Sequence, residues 1–127
     1  KERILKEFEE NAETPDLEEA RLFHKMLGFV HANFAQPLSV KDIADSARLN
    51  KNRCTALFKT HTNMSPIKYV NEYRLYTAKN MILHTDRSIS DISADVGYNQ
   101  ISHFIEQFRL SYGMSPLKYR HKFDQEA

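Results

Sequence analysis

The chain is poor in the residues that break, staple or kink a fold: 127 residues hold three glycines, four prolines, one cysteine and no tryptophan. A lone cysteine, Cys54, can neither close an internal disulfide nor supply a cysteine-based zinc site. A secreted disulfide scaffold and a zinc finger are therefore excluded, and a reducing cytoplasm is the expected compartment. No apolar run reaches the roughly 18 residues a membrane span needs, and the opening "KERILKEFEE" lacks a signal-peptide core, so no membrane partner is expected. With few glycines and prolines and little β-branched alternation, strands and hairpins have no signals, and helix is the dominant expectation. There is no glycine-rich phosphate loop and no convergent acid/base pair, so neither an enzyme nor a cofactor is expected. His24 and His31 have no third ligand at useful spacing and read as surface or half-buried residues rather than metal ligands. Cys54 reads as a small core residue rather than a nucleophile.

What is present is a core and a charge gradient. Apolar residues make up 41% of the chain, with eight Phe and six Tyr, enough to bury one compact domain or two very small ones. The net charge of +1 averages two unlike parts: residues 1–20 carry eight acids and three bases, and the rest carries fifteen Lys and Arg against nine acids, +6. A basic body suits a polyanionic partner. The chain opens on Lys1 without an initiator methionine and reads as a piece of something longer. The missing part is expected to lie upstream.

Helix punctuation recurs along the body. Thr14-Pro15-Asp16 offers a cap, a first-turn proline and an acid ahead of Leu22, Phe23, Met26, Leu27, Val30 and Phe34, spaced by three and four. Ser39-Val40-Lys41-Asp42 and Ser88-Ile89-Ser90-Asp91 both read as capping boxes with Asp in place of Glu. Each opens a short helix that leads through a tight turn, at Arg48-Leu49-Asn50 or Gly97-Tyr98-Asn99, into an amphipathic segment. Each amphipathic segment then ends in nearly the same phrase, "NMSPIKYV" or "GMSPLKYR". Asn63 and Gly113 can close a helix in the left-handed conformation. The serine and proline then start the next one, and Met64 with Tyr69, or Met114 with Tyr119, can form a hydrophobic staple.

The copies align at an offset of 49 before the turn and 50 after it, so the second carries one extra residue, in the turn or at the start of the helix after Tyr98. A duplicated "cap, short helix, turn, amphipathic helix" is a duplicated helix-turn-helix. Between the copies, Pro66 to about Leu83 reads as one helix with Tyr69, Tyr73, Tyr76 or Thr77, Asn80 and Leu83 along one face. The fold expected is all-α: a seven-helix domain over 15–127, with helix-turn-helix subdomains at 15–65 and 85–123 joined by a long linker helix at 66–84.

These motifs resemble a known family. From about Leu22 to Phe123 the chain is similar to the DNA-binding domain of AraC/XylS-type bacterial transcription regulators. "LSVKDIADSARLNKNRCTALFKTHTNMSPIKYV" resembles its first helix-turn-helix, and "ISDISADVGYNQISHFIEQFRLSYGMSPLKYR" its second. Val96-Gly97-Tyr98, Phe104, Phe108 and Gly113-Met114-Ser115-Pro116 with Tyr119-Arg120 form a specific set. The resemblance implies a double-stranded DNA partner, an upstream sensing or dimerisation domain, contact with RNA polymerase in some members, and a place at the nucleoid. Residues 1–14 would then be an acidic linker or the tail of that upstream domain, with Ile4, Leu5 and Phe8 missing their packing partner.

Periodicity sorts the DNA-facing residues independently. In the first amphipathic helix Cys54, Leu57, Phe58 and His61 share a stripe toward the core, leaving Asn52, Thr55, Ala56 and Lys59 opposite, with Arg53 beside them. In the second, Phe104 and Phe108 anchor the stripe, and Ser102, Ile105, Glu106 and Arg109 point outward. The family's base-contacting positions fall at matching places, so the resemblance implies base contacts at Asn52, Arg53, Thr55 and Ala56, then at Ile101, Ser102, Ile105 and Glu106. Arg53 can take guanine and Asn52 adenine in bidentate fashion, and Thr55 and Ala56 can meet thymine methyls.

The second helix departs from the family pattern, with Glu106 where a basic residue is common and Ile105 where a small polar one is. Either it mainly positions the domain, or it is specialised for cytosine and thymine methyls. Expected phosphate contacts are the helix starts at Ser39 and Ser88 and the side chains Lys59, Lys68, Arg74, Arg109, Lys118 and Arg120. For Arg120 a structural role in the last helix is the other reading. A linker of about 18 residues is roughly 27 Å long, short of the roughly 34 Å between major-groove faces. Two helices in successive major grooves of one asymmetric site of roughly 20 base pairs then require bent DNA or partial insertion of one helix. The rival reading is a helical protein-interaction module with the same fold and little intrinsic DNA binding.

Overall fold

The computed structural model describes residues 15–126. Among them run seven helices and no strand: α1 (Pro15–Asn33), α2 (Val40–Ser46), α3 (Lys51–Thr62), α4 (Pro66–His84), α5 (Ile89–Asp95), α6 (Ile101–Tyr112) and α7 (Pro116–Glu126). The expected all-α, seven-helix class is the one observed. None of these helices is long and apolar enough to cross a membrane. The described residues group into two compact units, 15–32 with 38–67, and 33–37 with 68–126. Residues 1–14, where an acidic tail is expected, lie outside the described residues.

In the first unit, the three-four spacing of α1 puts Phe23, Met26 and Val30 into a core shared with Ile43, Ala44, Ala47, Cys54, Leu57 and Phe58. Phe23 meets Phe58 edge-on, 5.1 Å between centroids. His61 differs from its expected place in the buried stripe. Its imidazole stacks on Phe23 at 4.6 Å while the residue stays exposed, so the ring covers the edge of the core instead of entering it.

Local hydrogen bonds set the helix starts. Asp42 N–H donates to Ser39 Oγ (3.1 Å) and Ser39 N–H to Asp42 Oδ2 (3.0 Å), a complete capping box. At α5 only half of the expected box is made: Asp91 N–H donates to Ser88 Oγ at 3.0 Å. Aspartate is a methylene shorter than the usual Glu, so the return bond depends on small differences in backbone. The turns correspond closely. Arg48 (φ 58°) and Gly97 (φ 102°) occupy the same left-handed position, and the next N–H returns to Ala44 O in one copy and Ser93 O in the other.

After that the copies diverge. Asn50 caps α3 by accepting from Arg53 N–H at 2.8 Å, whereas α6 starts at Gln100 with no side-chain cap. The extra residue of the second copy is therefore Asn99, in the turn. Both amphipathic helices close on a left-handed residue, Asn63 (φ 60°) or Gly113 (φ 81°), whose N–H returns to Lys59 O or Arg109 O. Pro66 and Pro116 then open α4 and α7.

The core of the second unit holds Leu75, Ala78, Ile82, Ile92, Val96, Tyr98, Phe104 and Phe108. The buried stripe of α4 is Val70, Leu75, Ala78 and Ile82. Aliphatic side chains fill the interior, while Tyr69, Tyr73 and Tyr76 lie against one another, 6.4 Å between successive ring centroids. Residues 33–37 run across this unit under two constraints. Arg74 Nε and Nη2 donate to the Phe34 and Gln36 carbonyls at 2.7 and 2.9 Å. A Cβ on Gly97 would lie 2.9 Å from the Ala35 carbonyl oxygen, so this position requires glycine for its close approach as well as its positive φ.

Candidate nucleic-acid interface

The outer face of α3 is built as its periodicity requires. Burial of Cys54, Leu57 and Phe58 turns Asn52, Arg53, Thr55, Ala56 and Lys59 to solvent, and all five are exposed. From Ser46 to Thr62 the chain has four bases, Arg48, Lys51, Arg53 and Lys59, and no acid. The nearest carboxylate upstream, Asp45, is engaged by Lys41 Nζ at 2.7 Å. Capping by Asn50 uses the Arg53 backbone N–H and leaves its guanidinium free. Among the described residues the face is positive, rich in donors and open to solvent.

Beneath this face, burial pushes the Cys54 thiol up to about 11. It stays protonated, which suits a core group and not a nucleophile.

On α6, Phe104 and Phe108 are buried, and Ile101, Ser102, His103, Glu106 and Arg109 are exposed. Ile105 corrects the expectation of an outward residue, because it is half-buried and packs on the second core. Lying one position after Phe104, its aliphatic chain gains more from the edge of that core than from water. Its rotation toward the core leaves Glu106 as the outward group in the middle of the helix.

An open hollow of about 340 Å³ lies beside the start of α6, bordered by Asn71, Arg74, Tyr98, Asn99, Gln100 and His103 among others. The Tyr98 hydroxyl is buried next to it without a hydrogen-bond partner among the described residues. Desolvation raises the Tyr98 pKa, opposed by the positive Arg74 and assisted by Glu72.

The expected phosphate contacts separate into two kinds. Lys59, Lys68, Arg109 and Lys118 are exposed. Arg74 and Arg120 instead hold backbone carbonyls of the protein, the structural role that is the other reading for Arg120. Arg74 is half-buried, and desolvation lowers its pKa. Its fork holds the carbonyls that follow α1. Arg120 does the same for α4, donating from Nε to Ile82 O (3.0 Å) and from Nη2 to Thr85 O (3.2 Å). Each guanidinium supplies donors to carbonyls at a helix end, where no intrahelical N–H is left.

The helix starts at Ser39 and Ser88 also differ from simple anion sites. Each has a carboxylate, Asp42 or Asp91, in its first turn, and the Ser39 N–H is already donated to Asp42. Sequence reasoning passed over Arg48, which is exposed in the first turn. The usable signal was the repeat itself, which aligns Arg48 with a glycine.

Comparison with known proteins places these helices in a family. The family model described as a helix-turn-helix domain matches residues 43–122. The lactose operon transcription activator of Staphylococcus xylosus is 34% identical over 95 residues, which are 75% of this chain and 34% of that protein. The crystal structure of a transcriptional regulator from Chromobacterium violaceum, described as an AraC-type DNA-binding domain-containing protein, superposes with TM-score 0.78. The two share 26% identity, and the match covers 84% of this chain and 95% of that one. The DNA-binding domain of AdpA, solved in complex with a target DNA, has the same fold, with TM-score 0.77 at 17% identity over 82% of this chain and 94% of that one. The chain spans about a third of the length of the curated relatives it matches.

Proposed function

The chain belongs to the AraC-type family of helix-turn-helix transcription regulators, and from that membership we propose that it binds double-stranded DNA sequence-specifically through α3 and α6 and so regulates transcription. The observation that carries the reading is the outer face of α3, where an exposed row of Asn52, Arg53, Thr55, Ala56 and Lys59 lies on a segment with no acid. Arg53 reads guanine, Asn52 adenine, and Thr55 and Ala56 allow close approach to the groove floor. On α6 the exposed Ile101, Ser102 and Glu106 face the duplex. Ile105 supports the helix from the core side, so α6 mainly positions the domain and discriminates less. Lys59, Lys68, Arg109 and Lys118 supply phosphate contacts. The connecting helix α4, 19 residues and about 28 Å long, suits two helices in successive major grooves of one asymmetric site, with the DNA bent to meet them.

The relatives' greater length favours an upstream sensing or dimerisation domain in the intact protein, with RNA polymerase as a further partner during activation and the bacterial nucleoid as the place of action. No reaction is assigned to the chain.

Selection of bound duplexes from a random pool, followed by titration with salt, tests the proposal. The expected result is one asymmetric consensus whose strongest positions relax in Arg53→Ala, with binding that falls steeply as salt rises. An unenriched pool and flat salt dependence would favour the protein-interaction reading. Glu106→Ala is expected to leave the consensus unchanged with equal or tighter binding, and loss of a cytosine preference would overturn the positioning role of α6.

A further inference from the structure

We propose that Arg48, in the turn before α3, is a DNA-backbone contact that only the first half of the duplication has. The inference rests on the DNA-binding reading above. Its starting point is a residue in an unfavourable conformation without an internal reason for it. Arg48 sits at φ 58°, in the left-handed region where glycine is the comfortable choice, and the second half uses glycine at the matching place. Among the described residues, the Arg48 side chain makes no ion pair or side-chain hydrogen bond that would explain its retention, and the residue is exposed. Nearby Asp45 is occupied by Lys41 at 2.7 Å.

The position is apt for a phosphate. Arg48 lies two residues before the α3 N-cap, Asn50, at the end of the helix proposed to enter the groove. It heads a run of Arg48, Lys51, Arg53 and Lys59 uninterrupted by acid. A cation flanking a helix inserted in the major groove meets the sugar-phosphate chain at the groove edge, where it adds affinity and carries no base preference.

The second half cannot reproduce the contact. Its turn glycine lies against residues 33–37, and a Cβ at Gly97 would sit 2.9 Å from the Ala35 carbonyl oxygen, so no side chain fits there. The neighbouring acid Asp95 is paired with Arg87 at 2.6 Å, and Glu106 faces outward on α6. The asymmetry between halves thus extends beyond the recognition helices to the turns that precede them.

The test compares Arg48→Asn, Arg48→Gly and Arg48→Lys in the 127-residue chain, titrated by mobility shift on a mixed-sequence duplex and on the selected consensus across a range of salt. Asparagine and glycine both accept left-handed backbone, so melting temperature is expected to hold or rise while binding weakens about three- to tenfold on both duplexes and the salt slope becomes shallower by about 0.9. Arg48→Lys is expected to keep the slope. Wild-type binding with unchanged affinity and slope in Arg48→Asn would overturn the contact alone. A loss confined to one base position would replace it with a base contact, and a fall in melting temperature with the Asn variant would make the role structural. If wild-type protein binds no duplex, the DNA-binding reading fails and this contact with it.

Discussion

Gly97→Ala is the sharpest probe of how the second unit is held, and Gly113→Ala is its built-in control. Both glycines are left-handed, at φ 102° and 81°. An alanine at either site bears the conformational cost of that region, about 1–2 kcal/mol. At Gly113 nothing lies within 4 Å of the added methyl, so that cost is the whole effect. At Gly97 the methyl meets the Ala35 carbonyl at 2.9 Å, with two further backbone atoms at 3.1 Å. The backbone of residues 33–37 must retreat, yet Arg74 holds it through the carbonyls on either side of Ala35. Stretching charge-assisted hydrogen bonds of this kind costs about 1.5–3 kcal/mol each when lost. Gly97→Ala is therefore expected to cost about 2–5 kcal/mol in total, against about 1–2 for Gly113→Ala. At about 3–5 °C per kcal/mol for a chain of this size, the two melting temperatures separate well. Thermal and urea unfolding followed by far-UV circular dichroism suits a chain without tryptophan. Arg74→Met, which loosens the loop, should make Gly97→Ala less costly by about 1 kcal/mol in a double-mutant cycle. Equal losses for the two alanine variants would show that residues 33–37 yield freely, and the account of Gly97 as a close-approach glycine would be wrong.

Arg120→Met is expected to cost about 1–3 kcal/mol, because the Ile82 and Thr85 carbonyls lose their donor, without lowering the salt slope of DNA binding. A shallower slope would restore Arg120 to the phosphate contacts. Ser39→Ala is expected to destabilise more than Ser88→Ala, since only Ser39 takes part in a two-way box. The bonds from the Ser39 backbone and then its hydroxyl hold the Asp42 carboxyl below the usual carboxylate range. That stabilisation is complete above the unfolded pKa and fades as pH falls through the folded one. The gap between wild type and Ser39→Ala should therefore narrow as pH falls without closing, because the cap bond from Asp42 N–H to the hydroxyl is lost at every pH, and parallel curves would refute the linkage. Cys54, held at about 11 by burial, should resist a thiol reagent at pH 8 in the native protein and react fully in urea. Stability should also decline as pH rises above the unfolded thiol value, about 8.5, because only the unfolded state then ionises. Rapid native reaction would place the thiol outside the core.

The duplication, the order of helices and the outward row of α3 were legible because each is local. Caps, left-handed closers and three-four spacing act within a turn or two of their own residues, so Ser39 with Asp42, Asn63, Gly113 and the Cys54-Leu57-Phe58 stripe can be read without knowing the fold. What tertiary structure alone decided involves partners far apart in sequence. Arg74 finds carbonyls 38 and 40 residues away and Arg120 finds them 35 and 38 away. No spacing rule separates such a guanidinium from one waiting for phosphate. The same holds for Ile105, drawn to the edge of the second core, and for the buried stripe of α4, Val70, Leu75, Ala78 and Ile82, which the row of tyrosines on that helix did not mark. By itself the sequence determined that there are two similar halves and which helix of each is presented. Only packing determined which arginines were taken up within the protein, since a backbone carbonyl at or just past a helix end competes with a DNA phosphate for the same five donors.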